Sequence, residues 1–261
     1  MTILEVTQRD AVTHLTLNSP ERLNALSDEM LAALQETLDQ LAGDPTCRVV
    51  TIAGAGKAFC AGHDLRQMQA MRQNEDKGAT AFADLFARCT NVMMRIQSMP
   101  QPVIAQVHGI ATAAGCQLVA TCDMAVAGQG TRFGVNGVNI GLFCSTPMVA
   151  LSRNIVPKKA FEMLTTGDFI SAERAEELGL INRVVAPEAL AQETAALADQ
   201  IAGKLGAAVK IGKRAFYEQL AMETAAAYTH TGAVMVENLS YNDTNEGMQA
   251  FIEKRPPDWK Q

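Results

Sequence analysis

The hydrophobic positions of this chain change period several times in its first half, and each change marks an element. Leu4 to Asp10 and Ala11 to Asn18 alternate apolar and polar residues, like two strands joined by a tight turn. From Ser27 the period becomes helical. Met30, Leu31, Leu34, Leu38 and Leu41 fall on one face, and Ser27 stands where an N-cap belongs. Arg48 to Ala53 reads as a buried strand, followed by a glycine-bearing loop from Gly54 to Gly62. The polar, Met-rich stretch Leu65 to Gly78 reads as a helix or a mobile lid, and a helix over Thr80 to Ser98 is expected to end before Pro100.

Pro102 to Asp123 then repeats strand, turn and helix. Val103 to Val107 is a short apolar strand and His108-Gly109 a turn. The helix that follows is expected to begin with Ala111, Ala113, Ala114, Gly115 and Cys116, an almost bare first turn. A bare helix start presents unpaired backbone N–H groups and the positive end of the helix dipole, a setting for a carboxylate, a phosphate or a developing oxyanion. Gln117 is the polar side chain about one turn in. A hydrating enzyme needs an acid or base there, and an amide is neither. Met124 to Ala127 is another short strand, and helices dominate from Pro147 onward. Strands alternating with helices predict an α/β fold with parallel pairing. Residues 1–188 are expected to form the core. Residues 189–261 form a helical region of the same single-domain subunit, an added layer or an oligomerisation element.

Composition narrows the function classes. At 261 residues, with 48% hydrophobic and 19% charged residues, the chain suits one large globular domain. A net charge of −6 argues against a general nucleic-acid binder. No apolar run reaches bilayer-spanning length, and the start MTILEVTQRD lacks a signal-peptide pattern. The six cysteines, Cys47, Cys60, Cys89, Cys116, Cys122 and Cys144, form no CxxC pair and sit among small and apolar neighbours. Reduced core thiols and a cytoplasmic or matrix-like compartment follow.

Several segments, in order, resemble the crotonase superfamily, the enoyl-CoA hydratase/isomerase family. They are Pro20 to Leu26 (PERLNAL), Ala58 to Leu65 (AFCAGHDL), Pro102 to Asp123, Phe133-Gly134, Leu164 to Asp168, Ile170 to Glu173 through Gly179 to Ile181, and Glu246 to Arg255. With FGVNGVNIGLFCSTP, the set looks most like the enoyl-CoA hydratase domain-containing protein 3 group, which has mitochondrial and bacterial forms. The resemblance implies a crotonase-like (ClpP/crotonase) spiral of ββα units with a C-terminal helical trimerisation region. It implies a homotrimer or a hexamer of stacked trimers, and an acyl thioester of coenzyme A as substrate. Coenzyme A arrives as part of that substrate, so no separate cofactor and no metal is expected. A cytoplasmic location, or the mitochondrial matrix in a eukaryote, goes with it.

The family's shared device is an oxyanion hole of two backbone N–H groups, which map here to His63 and Ala114. The two hydratase glutamates map to Gln117 and Gly137, and a third acidic position of some dienoyl-CoA isomerases maps to Ser145. Neither Gln117 nor Gly137 can titrate, and Ser145 removes a further proton carrier. Family membership implies a lyase or isomerase of fatty-acid or related acyl-CoA metabolism, yet ordinary hydratase activity is not expected. The alternatives are a catalytically weak or inactive acyl-CoA-binding protein, or another crotonase reaction, decarboxylation or thioester hydrolysis, using His63. Restoring both carboxylates, with Gln117→Glu and Gly137→Glu, is expected to raise hydration.

The resemblance also implies a substrate-binding set of Arg22, Ala25, Ala61, Asp64, Leu65, Arg66 and Ser145. Arg22 and Arg66 are candidates for the phosphate-rich head of CoA. Lys254, Arg255 and Lys260 are candidates to reach a neighbouring subunit's ligand. Asp64 is read as the cap of the next helix. Residues 66–83 are expected to line the acyl end. The favoured role of His63 is its backbone N–H, its ring facing solvent or the CoA chain. Cys144, at a helix start, reads as a packing thiol rather than a nucleophile. His14, His108 and His230 read as structural.

Overall fold

The hairpin Leu4–Arg9 (β1) and Val12–Leu17 (β2) opens the fold, in a computed structural model that describes residues 2–260. Asp10, at φ 53°, closes its turn. Asp28–Gly43 (α1) follows, with Ser27 accepting a hydrogen bond from the Met30 N–H and the expected leucine face buried. Then come Val49–Gly54 (β3), Leu65–Met71 (α2), Ala79–Ser98 (α3) and Val103–Val107 (β4). The Met-rich stretch is therefore helical in its first half.

After β4 the chain departs from the expected path. Ile110–Thr112 forms a separate short strand (β5), and Ala114–Thr121 (α4) begins only after it. Ala111 therefore belongs to a strand rather than to the first turn of the helix. It pairs with Phe133, and a bridge joins it to Cys60. Met124–Gly128 (β6), Arg132–Gly134 (β7), Ser145–Asn154 (α5), Pro157–Thr166 (α6), Ile170–Ser171 (β8), Ala172–Glu177 (α7) and Arg183–Val185 (β9) complete the core. Leu190–Ala202 (α8), Gly206–Gln219 (α9), Thr224–Leu239 (α10) and Asn242–Glu253 (α11) follow. The strands β5, β7, β8 and β9 are two or three residues long, too short to carry a period-2 signal.

Two sheets result. The larger runs β1-β2-β3-β4-β6-β9, parallel except for the opening hairpin, and the smaller runs β5-β7-β8. Parallel strands buried on both faces read as continuous apolar runs, as β3 and β4 do. One face packs against α1, α3 and α4, with Leu34, Leu38, Ile52, Phe59, Ile96 and Val107 at its centre. On the other, Leu190, Leu197 and Ala198 of α8 cover Val12, Val49, Ile104 and Val126. Among the described residues, no helix is long and apolar enough to cross a membrane.

A buried polar clamp ties α9 to this core. Lys213 Nζ donates to Ile96 O (2.7 Å), Gln101 O (2.8 Å) and Asp123 Oδ2 (2.7 Å). Tyr217 Oη donates to Asp123 Oδ1 at 2.8 Å, and the Val103 N–H to Asp123 Oδ2 at 2.6 Å. Burial pushes the Lys213 ammonium down against the pull of Asp123. The side chains of Lys213 and Asp123 are only 5% and 12% exposed. Lys213→Ala would strand a buried carboxylate, so unfolding free energy should fall by about 3–5 kcal/mol in denaturant titrations, and a loss under about 1 kcal/mol would contradict the clamp.

Candidate active site

The site is built on a short backbone segment, residues 60–63, held from both sides. On one side lies the turn Leu23-Asn24, both residues in the left-handed region at φ 54°. The Asn24 side chain is fully buried and fixes this turn. Its Oδ1 accepts the Ser19 N–H at 2.9 Å, and its Nδ2 donates to Ala55 O and Ala58 O, each at 2.8 Å. The Ala61 N–H then donates to Leu23 O (3.0 Å) and the Leu26 N–H to Gly62 O (2.8 Å). On the other side, the Cys60 N–H donates to Ile110 O (3.2 Å) and the Thr112 N–H to Cys60 O (3.0 Å). Asn24 is the organising residue that the sequence reading passed over. Its signal lay in the PERLNAL motif itself.

This clamp sets two glycine contacts that shape the site. Gly62, at φ 92°, lies so close to the start of α4 that a Cβ on it would sit 2.9 Å from Ala113 Cβ and 3.2 Å from the Ala114 nitrogen. A Cβ on Gly115 would meet Cys60 O at 2.2 Å. Ala113, the N-cap of α4, takes φ 50° and ψ −120°, a conformation costly for a residue with a Cβ. It is held there by its N–H on Gly134 O (2.9 Å) and its carbonyl on the Gln117 N–H (3.0 Å). Among the described residues, neither the His63 N–H nor the Ala114 N–H has a partner within the protein. Two preorganised amide donors thus stand free beside one glycine, a constellation suited to an oxygen that gains negative charge.

A cavity of about 270 Å³ opens beside the His63 segment. Arg22, Ala25, Ala61, His63, Asp64, Leu65 and Arg66 all line it, so every expected binding residue except Ser145 meets there. Asp64 caps α2 by accepting from the Arg66 and Gln67 N–H groups, and Arg22 Nη1 lies 3.3 Å from its Oδ2. Leu65 also lines a second cavity of about 730 Å³, with Met68, Gln69, Arg72, Phe82, Phe86, Ile140, Gly141 and Leu142. Residues 66–83 thus contribute Met68, Gln69, Arg72 and Phe82 to that wall. Ser145 is exposed, with its Oγ 3.4 Å from Phe143 O, and lines neither cavity.

The His63 ring, expected to face solvent or the CoA chain, is half-buried on the smaller cavity with Arg22 and Arg66. It packs edge-on against Phe86, with centroids 5.6 Å apart. Its Nδ1 lies 3.4 Å from Leu26 O, and a carbonyl only accepts, so Nδ1 carries the proton. Nε2 is then a buried lone pair without a partner. Burial pushes the ring's pKa below its ordinary value of 6.5, and the Arg88 guanidinium adds to this while Asp28 opposes it. Gln117 is 6% exposed, and its Oε1 is likewise buried without a partner.

Gly137 is a different matter. It lies in the 3-10 turn Asn136–Ile140, and a Cβ there would meet Leu142 O at 2.3 Å and Cys144 Sγ at 2.9 Å. No side chain fits without moving backbone, so the Gly137→Glu half of the expected restoration is not available in this fold. Burial pushes the Cys144 thiol up, as suits a packing thiol. Cys60, Cys89 and Cys116 are pushed to about 12 for the same reason. His14, His108 and His230 engage Thr51, Gly56 O and Glu218. Arg255 is paired with Glu246 and Glu253, and Lys260 with Asp258, within the chain itself.

This fold and this paired-amide site define a class. The sequence profile of the enoyl-CoA hydratase/isomerase family matches residues 7–261, and the chain belongs to that family. Within it, the likeness is to the domain-containing protein 3 subgroup. The chain is 44% identical over 259 residues to enoyl-CoA hydratase domain-containing protein 3, mitochondrial, of Xenopus laevis, covering 99% of this chain and 86% of that protein. The crystal structure of human enoyl coenzyme A hydratase domain-containing protein 3 superposes with TM-score 0.94 at 43% identity, covering 98% of this chain and 100% of that one. An enoyl-CoA hydratase from Mycobacterium smegmatis superposes with TM-score 0.96 at 52% identity, covering 99% of each chain.

The two glycine environments give a direct comparison. Gly137→Ala should cost about 1–3 kcal/mol of stability, because its Cβ has nowhere to go. Gly212→Ala, at an exposed α9 position with nothing within 4 Å, should stabilise by up to about 1 kcal/mol. Thermal unfolding of the two variants reads both effects. A neutral Gly137→Ala would show that this turn yields.

Proposed function

We propose that this protein binds acyl-CoA thioesters and stabilises the thioester enolate between the His63 and Ala114 N–H groups, without acting as an ordinary hydratase. The observation that supports this reading is the close approach of Gly62 to the Ala114 nitrogen, together with the lack of a protein partner for the Ala114 and His63 N–H groups among the described residues. The thioester carbonyl would accept from both. Each such donor is worth roughly 10²–10³ in rate when charge develops on the oxygen. Arg22 and Arg66, on the 270 Å³ cavity, would face the phosphates of CoA, and the acyl chain would pass Leu65 into the larger cavity. Oligomers, trimeric or hexameric, belong to this proposal through the family resemblance.

Water addition is disfavoured by what surrounds the hole. Gln117 neither takes nor gives a proton at neutral pH, and no side chain fits at Gly137. A second reading concerns the reaction itself, and the orphaned Nε2 of His63 favours it. As a neutral imidazole beside the bound thioester, it would take a proton from the acyl α-carbon. The C–H electron pair would become the enolate double bond, and the negative charge would settle on the oxygen between the two amides. The proton then returns to carbon, so no co-reactant is needed.

Titration calorimetry with crotonyl-CoA and longer acyl-CoAs should show binding. Loss of the conjugated-thioester absorbance should run slower than in glutamate-bearing relatives, by roughly 10²–10⁴ for each missing group. Absence of binding would overturn the proposal. For His63, the readout is deuterium uptake at the acyl α-carbon in D₂O. His63→Ala keeps the backbone N–H, so binding should persist while exchange falls roughly 10²-fold or more. Burial lowers the ring's pKa, so exchange should hold through neutral pH and decline only as pH falls below 6.5. Unchanged exchange in the variant would remove His63 as the base.

A further inference from the structure

The larger cavity carries a charge that the proposed chemistry does not use. Leu65, Met68 and Gln69 of α2 and Arg72, its C-cap, follow the i, i+3, i+4, i+7 spacing of a single helical face, and all four line the 730 Å³ cavity. Around them the wall is apolar: Phe82, Phe86, Ile140 and Leu142. Arg72 is the one charged residue among these. Its backbone N–H donates to Met68 O at 3.2 Å and so keeps it on the helix, while its guanidinium has no hydrogen-bond or ion-pair partner among the described residues. Its neighbour Arg66 looks the other way, onto the smaller cavity.

The geometry points to an acyl group that ends in an anion: an ω-carboxyacyl-CoA whose far carboxylate is received by Arg72. The inference rests on the proposed acyl-CoA site and specifies its ligand. Leu65 touches both cavities, so it marks the point where an acyl chain passes from the thioester toward the cavity. Arg72 lies seven residues further along the same face, about 10 Å at the helical rise. Arg72 is exposed, so beside a plain alkyl chain of that reach its guanidinium has only water as a partner. A terminal carboxylate would take two parallel N–H···O bonds from the same group. Gln69, one turn before Arg72, adds an amide donor to that end of the wall.

The test compares matched probes on the full-length protein by titration calorimetry: octanoyl-CoA against its ω-carboxy counterpart, and hexanoyl-CoA against adipoyl-CoA. The wild type should bind the carboxylated member of at least one pair roughly tenfold more tightly, the worth of one bidentate charge-assisted contact at an exposed position. Arg72→Gln should erase that preference by weakening the carboxylated member far more than the plain one, and remove the salt dependence of the difference. Equal affinities in the wild type, or a preference that survives in Arg72→Gln, would overturn the inference. An Arg72→Gln variant that weakens every acyl-CoA alike would also overturn it, by placing Arg72 on the CoA head instead. If plain acyl-CoAs do not bind at all, the proposed acyl-CoA site fails and this inference falls with it. Binding of plain chains without a carboxylate preference removes only the inference.

Discussion

The architecture of the site depends on one backbone segment being pinned from two directions. Residues 60–63 bond to the Leu23–Leu26 turn on one side and to β5 on the other. That double attachment leaves the Gly62 backbone no freedom to retreat from the start of α4. Two consequences follow from the close contact: position 62 must lack a Cβ, and position 115 must lack one too, while the His63 and Ala114 amides have no partner among the described residues. Hydrogen-bond satisfaction drives the arrangement. Asn24 meets its amide needs inside the turn, and Ala113 holds a costly backbone angle between two hydrogen bonds. The strain at Ala113 sits beside the hole, where local strain serves preorganisation.

What this scaffold surrounds is unusual in its proton chemistry. Two buried acceptors without partners, Gln117 Oε1 and His63 Nε2, belong to the segments that supply the amide donors. A buried acceptor lacking a donor costs free energy, and under the proposed function a bound ligand would complete the bonding of these two. The same burial that leaves Nε2 unpaired keeps the imidazole neutral, and a neutral imidazole accepts a proton. The Gly137 turn closes off the alternative of a carboxylate opposite, because Leu142 O and Cys144 Sγ occupy the volume.

Much of this was legible in the chain itself. The amphipathic face of α1, the apolar runs of β3 and β4, and the Ser27 and Asp64 caps follow from local periodicity and capping chemistry, and they stand as expected. The ordered motifs placed six of the seven expected binding residues around one cavity. The misreadings have a common cause. Ala111 looked like a helix residue because small apolar residues fit either state, and only the register against Phe133 makes it a strand. The His63 ring lies on the cavity with Arg22 and Arg66, within the expected solvent-or-CoA range, but nothing local announces its packing on Phe86, 23 positions later in the chain. Gly137 read as a vacancy, whereas it is filled by a backbone carbonyl that no sequence pattern reveals. Non-local packing decided each of these.

The contact on which the proposed function turns is a thioester oxygen held by two backbone amides. Its most direct measure is the carbonyl stretch of an acyl-CoA labelled with carbon-13 at the thioester carbonyl, recorded bound and free by difference infrared spectroscopy. Two charge-seeking donors polarise the C=O bond, so the bound band should move to lower frequency, and the move should survive His63→Ala because the amide remains. A bound thioester whose carbonyl band stays where it lies in water would contradict the account.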